Sequence, residues 1–357
     1  MRKWNGLLCA VCASSLFLSA CGGGAPEDSV IPAVEAGGES STETASGEAS
    51  GASEDTETQE ITAESVREQG EILVLLPSDD LFSEEEAEIL TERLDGGAYS
   101  VEIEYYDEDP ELLEECFSDA EEDGVRMILL DAVFPEESLA CVREARDAGI
   151  PVITMNYGLG ATGYALGQVI TDRHDPVLTL AAWYAEEAGE ESRYLILTGE
   201  ADGLAGDSIT AFRDGLRKAA NVEEVLEISA EAEEEEELYE ALSEAFSEED
   251  VDTAVCCDSS GVRAVLDVLD GEDLTDIRIL SLSGDGAGEE LLDGDIDMAV
   301  IKPSEELAKQ AAVLASAYLK NGNTGTAECM YREAQLLYYD SGTEELAALR
   351  QGRKAEE

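Results

Sequence analysis

The sequence predicts an α/β protein built from two doubly wound parallel-sheet lobes, and three observations lead to this fold class. From residue 71 onward, short apolar runs alternate with helical patterns of about 10 to 15 residues, which is the order of βαβ units. The apolar runs are rich in Ile, Leu and Val, as expected of parallel strands covered on both faces. About a dozen strands are many for one open sheet, so two lobes are the simpler arrangement.

Each element follows from a local pattern, beginning with the apolar run EILVLL and the alternating run VEIEYY. Ser83 and Glu86 match a capping box at the start of the first helix, and Asn321-Gly322 predicts a left-handed stop for the last long helix. The predicted strands are 71–76, 101–106, 126–130, 150–155, 164–170, 194–199, 222–228, 252–257, 277–282 and 298–301. The predicted helices are 83–94, 109–121, 135–148, 176–188, 206–219, 234–246, 260–269, 287–293 and 304–320.

The N-terminus has the pattern of an export signal. Arg2 and Lys3 precede an apolar run from Leu7 to Leu18, which is short for a membrane span. The run ends in Leu-Ser-Ala-Cys at Cys21 and resembles a bacterial lipobox, which implies a signal peptide over 1–20 and diacylation of the Cys21 thiol. An ordinary secretory signal that contains a cysteine is the alternative. Either reading places the mature protein outside the cytoplasm, and the lipobox anchors it to the cell membrane.

Residues 21–70 predict a disordered acidic tether that follows the lipidated cysteine. Residues 22–60 hold ten acidic residues and no Lys or Arg, and the remainder is mostly Gly, Ser, Thr and Ala. Such a segment cannot bury enough apolar surface to offset the entropy of ordering it. We therefore expect a flexible, self-repelling linker between the membrane and a globular body.

The charge excludes several classes of partner. The 357 residues contain 84 Asp and Glu against 21 Lys and Arg, a formal net charge of −63. A nucleic-acid-binding protein needs a basic surface that displaces phosphate counterions, and this chain has the opposite balance. With 44% hydrophobic residues, the chain can still build a sizeable core.

The cysteines and the single histidine give no sign of metal binding or covalent catalysis. Beyond Cys21 the chain holds Cys116, Cys141, Cys256, Cys257 and Cys329, without a CxxC spacing, and its only histidine is His174. We expect no metal, no cofactor and no enzymatic activity. Cys116 and Cys141 fall on adjacent predicted helices, and the sequence leaves open whether they form a disulfide.

One stretch resembles a known family closely. The sequence GVRMILLDAVFPEESLACVREARDAGIPVITMN (124–156) is similar to the strand, Pro-containing loop, helix and A-G-I-P-V strand of type I periplasmic binding proteins of the sugar type. The resemblance covers nearly all of 71–345, because further pieces follow in the family's order. These pieces are Thr171-Asp172, YLILTG, AFRDGL, Asp258, Asp285-Gly286 and Lys302-Pro303.

The resemblance implies the domain organisation. An N-terminal lobe would comprise 71–173 plus about 303–328, and a C-terminal lobe 174–302 plus about 329–345. Crossovers would lie near 172–176, 301–304 and 328–338, with a tail at 346–357. It also implies hinge closure around a small ligand that is then delivered to an ABC transporter permease.

The resemblance also supplies candidate ligand contacts, residue by residue. They are Asp79, Phe82, Asp131, Asn156, Tyr157, Asp258 and Asp285. The aspartates that follow strands are equally good helix N-caps, so a purely structural role is the alternative. Phe212 stands where the family commonly has Arg. Acceptors without this cation would favour a ligand rich in N–H or O–H donors.

A sugar or polyol is the family's expectation for the ligand, and an amine-bearing molecule is the alternative. A second hypothesis is a sensory or degenerate surface lipoprotein of the same fold, which signals ligand to a membrane receptor. The lipobox and the missing DNA-binding headpiece exclude a gene regulator, and we expect a monomer.

Overall fold

Two β-sheets, each covered by helices on both faces, make up the computed structural model of this protein. The structure describes residues 70–96, 99–189, 191–198, 204–229 and 235–338, all within one compact unit, Thr56–Glu357. The two-lobed α/β fold class is confirmed. The signal peptide, Cys21, the tether before Gly70 and the tail lie outside the described residues, so those expectations stay predictions.

The first lobe is a parallel six-stranded sheet. Its strands are β1 (Gly70–Leu76), β2 (Tyr99–Tyr105), β3 (Met127–Ala132), β4 (Val152–Asn156), β5 (Gly167–Asp172) and β11 (Cys329–Glu333). They lie in the order β11-β5-β4-β3-β1-β2. Helices α1 (Leu81–Leu94) and α9 (Ser304–Asn321) cover one face, and α2 (Pro110–Asp123) and α3 (Pro135–Ala148) cover the other.

The second lobe repeats this plan. Its strands are β6 (Ser192–Thr198), β7 (Val222–Ser229), β8 (Thr253–Cys256), β9 (Arg278–Ser281), β10 (Met298–Ile301) and β12 (Gln335–Tyr338). They lie in the order β12-β10-β9-β8-β6-β7, and only the edge strand β12 is antiparallel to its neighbour. Helices α6 (Glu235–Glu248), α7 (Ser259–Gly271) and α8 (Gly288–Asp293) cover one face, and α4 (His174–Glu187) and α5 (Leu204–Leu216) cover the other.

The chain crosses between the lobes three times, at Arg173, at Lys302-Pro303 and at Ala334. The last crossover corrects our domain assignment, because we expected 329–345 to lie in the second lobe. Instead β11 pairs in parallel with β5 and completes the edge of the first sheet, and the chain changes sheets only at Ala334. Three short connections are the geometry of a hinge.

The helix ends show which local signals the chain uses. The first helix begins before the predicted capping box, because the Asp80 carboxylate accepts the N–H groups of Phe82 and Ser83 at 2.8 and 2.9 Å. At the other end of the fold, Gly322 closes α9 in the predicted left-handed conformation, with a φ of 74°.

Cys116 and Cys141 are free thiols, so the structure gives no support to the disulfide left open above. Burial raises the pKa of each thiol to about 11, which keeps them protonated at neutral pH. None of the helices in the described ranges is long and apolar enough to cross a membrane.

Candidate functional site

A small cavity of about 100 Å³ lies between the lobes, where the carboxyl ends of both sheets meet. Its walls come from the loops after β1, β2, β3 and β4 on one side and after β8, β9 and β10 on the other. The lining residues are Pro77, Asp80, Glu108, Val133, Phe134 and Tyr157 from the first lobe, and Asp258, Ser259, Ser260, Ser283, Asp285, Gly286 and Lys302 opposite them.

Asp258 presents an acceptor oxygen to this cavity. It is the N-cap of α7, and its Oδ1 accepts the N–H of Gly261 at 2.8 Å and the hydroxyl of Ser260 at 2.9 Å. No described residue donates a hydrogen bond to the other oxygen, Oδ2. The N-cap and ligand-binding roles are therefore compatible, because they use different oxygens of one carboxylate.

Glu108 enters the cavity from an unusual turn between β2 and α2. Both Asp107 and Glu108 have positive φ angles, 51° and 53°, a region that non-glycine residues rarely occupy. Burial raises the pKa of the Glu108 carboxyl. The positive charge of Arg263 lowers this pKa by a smaller amount, and the negative charges of Asp80 and Asp258 raise it further. The turn thus holds a partly buried acid among other acids.

Asp285 joins the lobes through three donors. It accepts hydrogen bonds from the Asn156 side-chain amide at 3.2 Å and from the backbone N–H of Lys302 at 2.7 Å, and it forms an ion pair with Arg173. Asn156 belongs to the first lobe, whereas Arg173 and Lys302 are crossover residues. Opposite charges that are both largely buried form strong, geometrically specific contacts.

Tyr157 borders the small cavity and also a second, large cavity of about 930 Å³. Its hydroxyl hydrogen-bonds the Ser283 hydroxyl at 2.8 Å, and the Arg173 guanidinium lies 4.2 Å from its ring centroid. Burial raises the pKa of the Tyr157 hydroxyl, so it stays protonated. The polar lining of the large cavity includes Thr162, Gln168, Thr171, Asp172, Arg173, His174, Asp207, Ser208, Thr210 and Asp214.

Lys302 is a buried cation at the edge of the small cavity. Its ammonium donates to Glu86 Oε2 at 3.1 Å and forms a closer ion pair with Asp131. Burial alone would lower the pKa of Lys302, but these two carboxylates outweigh it and raise the pKa. Among the described residues, Glu86 Oε1 and Asp131 Oδ1 have no hydrogen-bond partner, so one ammonium serves two carboxyl groups.

Within the described ranges, no group of His, Cys, Asp and Glu is arranged to hold a metal ion. His174 lies on the surface, where its Nδ1 is 3.0 Å from the Asp175 carboxylate.

A model of the periplasmic binding protein domain matches residues 96–324, well over half of the chain. The chain belongs to the periplasmic binding protein family. It is 25% identical over 261 residues to a D-apiose import binding protein of Paraburkholderia graminis, covering 72% of this chain and 83% of that protein. A second D-apiose import binding protein, from Actinobacillus succinogenes, is 21% identical, covering 73% and 86% of the two chains.

Solved structures share the fold. The binding component of the arabinose ABC transporter from Shewanella sp. ANA-3, bound to L-arabinofuranose, has a TM-score of 0.64 at 16% identity. The match covers 80% of this chain and 97% of that one. The resemblance to type I periplasmic binding proteins is thereby confirmed.

As a periplasmic binding protein, the chain brings four of the seven predicted contacts to the centre of its cleft. Tyr157, Asp258 and Asp285 line the small cavity. Asn156 is fully buried behind them, where its side-chain oxygen accepts from Thr171 and Arg173 at 3.1 and 2.6 Å. Its φ of 71° turns the chain sharply at the end of β4.

The other three predicted contacts lie elsewhere. Asp79 is exposed and contributes to neither cavity wall, whereas its neighbour Asp80 does line the small cavity. Phe82 packs into the hydrophobic core of the second lobe instead of presenting its ring to the cleft. Asp131 is fully buried, pairs with Lys302 and lines neither cavity.

The inference that the site lacks a cation is wrong. Arg173 and Lys302 both reach the cleft, and Arg263 donates to the Gly286 carbonyl at 2.7 Å beside it. Sequence reasoning missed Arg173 because the short crossover from β5 to α4 is not among the binding loops that the resemblance supplied. Glu108 was missed because no motif marks its turn. Phe212, at the expected Arg position, is fully buried against Tyr184 and Tyr194.

Proposed function

We propose that this protein is a membrane-anchored, extracytoplasmic solute-binding protein that captures a small polar ligand, a sugar or a polyol, between its lobes and delivers it to an ABC permease. The observation that carries the proposal is the small cavity, walled by both lobes and lined by acidic and hydroxyl oxygens beside the rings of Phe134 and Tyr157. Oxygen acceptors beside aromatic faces suit a polyhydroxylated molecule, whose O–H groups donate and whose C–H faces pack on rings.

The relatives support this class of ligand. Two of them are import binding proteins for D-apiose, and solved structures of the same fold hold L-arabinofuranose or myo-inositol. All three are small neutral molecules rich in hydroxyl groups. Relatives that serve import favour delivery to a permease over signalling to a receptor.

Asp258, Asp80 and Glu108 are the proposed acceptors for ligand hydroxyls, and Tyr157 is the proposed packing surface. Because these residues belong to both lobes, a bound ligand gains contacts only when the lobes are close together. Ligand would therefore shift the population toward the closed state, which the permease recognises. The closed arrangement leaves about 100 Å³, so the lobes would close less tightly around a sugar than they do here.

Binding without catalysis is part of the proposal. The lipidated Cys21 and the acidic segment that follows it would keep the binding lobes close to the permease.

A thermal-shift screen of the full-length protein against pentoses, hexoses and polyols tests the proposal. A ligand at about 100 times its Kd should stabilise the folded state by about 2.7 kcal/mol. The Asp258→Asn variant keeps an N-cap oxygen but loses the carboxylate, so we expect an unchanged melting temperature without ligand and a much smaller ligand shift.

Asp109→Asn is the matched control, because Asp109 caps α2 in the same way but borders neither cavity. That variant should keep the full ligand shift. Absence of a shift with every compound at millimolar concentration would contradict the proposed function, and equal losses in both variants would contradict the role of Asp258.

A further inference from the structure

The two cavities differ greatly in size although they share Tyr157 as a wall. The small cavity, at about 100 Å³, is below the roughly 150 Å³ of an engineered cavity that holds one benzene ring. It has no room for a second ring. The large cavity, at about 930 Å³, lies within the range of roughly 300–1,000 Å³ typical of ligand sites. Of these two cavities, only the large one therefore has space for a further part of a ligand.

Arg173 lines the large cavity and has donors to spare. Its residue is 7% exposed, and a single nitrogen, Nη2, serves both Asn156 and Asp285. Its Nε is buried without a hydrogen-bond partner, and no described residue accepts from Nη1. The Nε–H is too buried for a ligand in the cavity to reach, so Nη1 is the donor that remains for a ligand oxygen.

The remaining walls of the large cavity match the chemistry of a carbohydrate. Asp207 and Asp214 on α5 offer acceptors, and Ser208 and Thr210 offer hydroxyls that donate or accept. Tyr331 on β11 lines the same cavity, and this ring is 61% exposed, which is unusual for a large apolar side chain in this molecule. An exposed ring among mixed donors and acceptors suits the apolar face of a sugar.

We propose that the large cavity is a second ligand subsite, which takes the additional unit of a disaccharide or glycoside. Arg173 is its hydrogen-bond donor and Tyr331 its packing surface. The first unit would occupy the small cavity after the lobes part slightly, and the two units would meet at Tyr157, whose hydroxyl contact with Ser283 would have to give way. This inference rests on the proposed function, since it extends the same cleft to a longer ligand.

Calorimetric titration of the full-length protein with matched pairs of sugars tests the subsite. The probes are L-arabinose with α-1,5-arabinobiose, and D-galactose with β-1,4-galactobiose. We expect a disaccharide to bind on the order of tenfold more tightly than its monosaccharide. Tyr331→Ala and Asp214→Ala should each remove most of that preference while the monosaccharide affinity stays the same. Both residues line the large cavity and neither borders the small one.

Val313→Ala is the control, because Val313 is another exposed apolar residue, 53% exposed, and borders neither cavity. It should leave both affinities unchanged. Monosaccharide binding without any disaccharide preference, or a preference that survives both cavity variants, would overturn the subsite and leave the proposed function standing. If none of the four sugars bound, the proposed function for this ligand class would fail, and the subsite with it.

Discussion

Lys302 is held between two carboxylates that come from different elements of the first lobe. Glu86 lies on α1 and Asp131 at the end of β3, and all three side chains are buried to within 1% exposure. Burial raises the pKa of Glu86 well above its usual range, while Lys302 opposes the change. The cluster fixes the second crossover to the first lobe, since the ammonium cannot leave without stranding two buried acids.

Lys302→Met should therefore lower the free energy of unfolding by about 3–5 kcal/mol near neutral pH. The loss should be smaller at low pH. At low pH the Glu86 carboxyl is protonated, so its burial without Lys302 leaves no unpaired charge. Because the folded-state pKa of Glu86 is raised, the stability that this group contributes is present at low pH and is lost as the pH rises through that pKa. Urea unfolding at about pH 5 and about pH 8 measures both effects.

Lys309→Met provides the comparison for this prediction, because Lys309 pairs with Glu305 on the surface of α9, where an ion pair contributes less than about 1 kcal/mol. It should change stability little at either pH. A Lys302→Met variant with the same small, pH-independent effect would show that the buried cluster does not hold the crossover.

At the scale of elements, the β2–α2 turn meets the loop between β9 and α8 across the cleft. Gly286 has a φ of 78°, and a Cβ built on it would lie 2.8 Å from Glu108 Oε1 and 3.2 Å from Ser259 Oγ. A methyl group there would displace the Glu108 carboxylate, which is the end of a flexible side chain, and the positive φ of Gly286 would strain any other residue. The two loops are therefore shaped for each other in the closed state.

Gly286→Ala should weaken ligand binding on the order of tenfold, because the added methyl group displaces the Glu108 carboxylate, a proposed ligand acceptor, as well as straining the loop. Gly149→Ala separates these effects, since Gly149 has a φ of 88° and a Cβ added there would meet no atom within 4 Å. Both variants should lose about 1–2 kcal/mol of folding stability, and only the first should lose affinity. Equal affinities, measured by calorimetry, would mean that the loops need not touch for binding.

Across the whole molecule, the lobes are joined by more than their three crossovers. Phe82 belongs to the first helix of the first lobe, yet it is 2% exposed and packs in the core of the second lobe, with Gly288 close to its ring. Two polar contacts between the lobes add to this apolar packing. They are the ion pair of Arg173 with Asp285 and the hydrogen bond between the hydroxyls of Tyr157 and Ser283. The protein thus holds its two lobes together, in the closed arrangement, by contacts between its own side chains.

Phe82→Ala should release this interface, so that the unliganded protein shows a larger radius of gyration in small-angle X-ray scattering. Phe117→Ala is the control, because Phe117 is buried wholly within the first lobe. That variant should lose about 3–5 kcal/mol of stability without a change in the radius. If Phe82→Ala only destabilised the fold and left the radius unchanged, the ring would not be holding the lobes together.

Local patterns predicted the elements well, since each strand and helix is encoded by a few neighbouring residues. The predictions of the apolar strands, of the helix stop at Gly322 and of the order of βαβ units are confirmed. The start of α1 was misplaced because two overlapping cap signals, at Asp80 and at Ser83, compete within three residues. The assignment of β11 failed because an edge strand of either sheet has the same pattern.

The sequence by itself determined the two-lobed α/β fold and the loops that face the cleft, because period and strand order are local properties and carboxyl ends of parallel strands share an edge. Only the tertiary structure decided which charges meet there. Arg173 and Lys302 reach Asp285 and Asp131 from 112 and 171 residues away along the chain. Such pairings depend on how the crossovers place side chains in space, and for that reason the cleft contains a cation, Arg173, although Phe212 replaces the family's Arg.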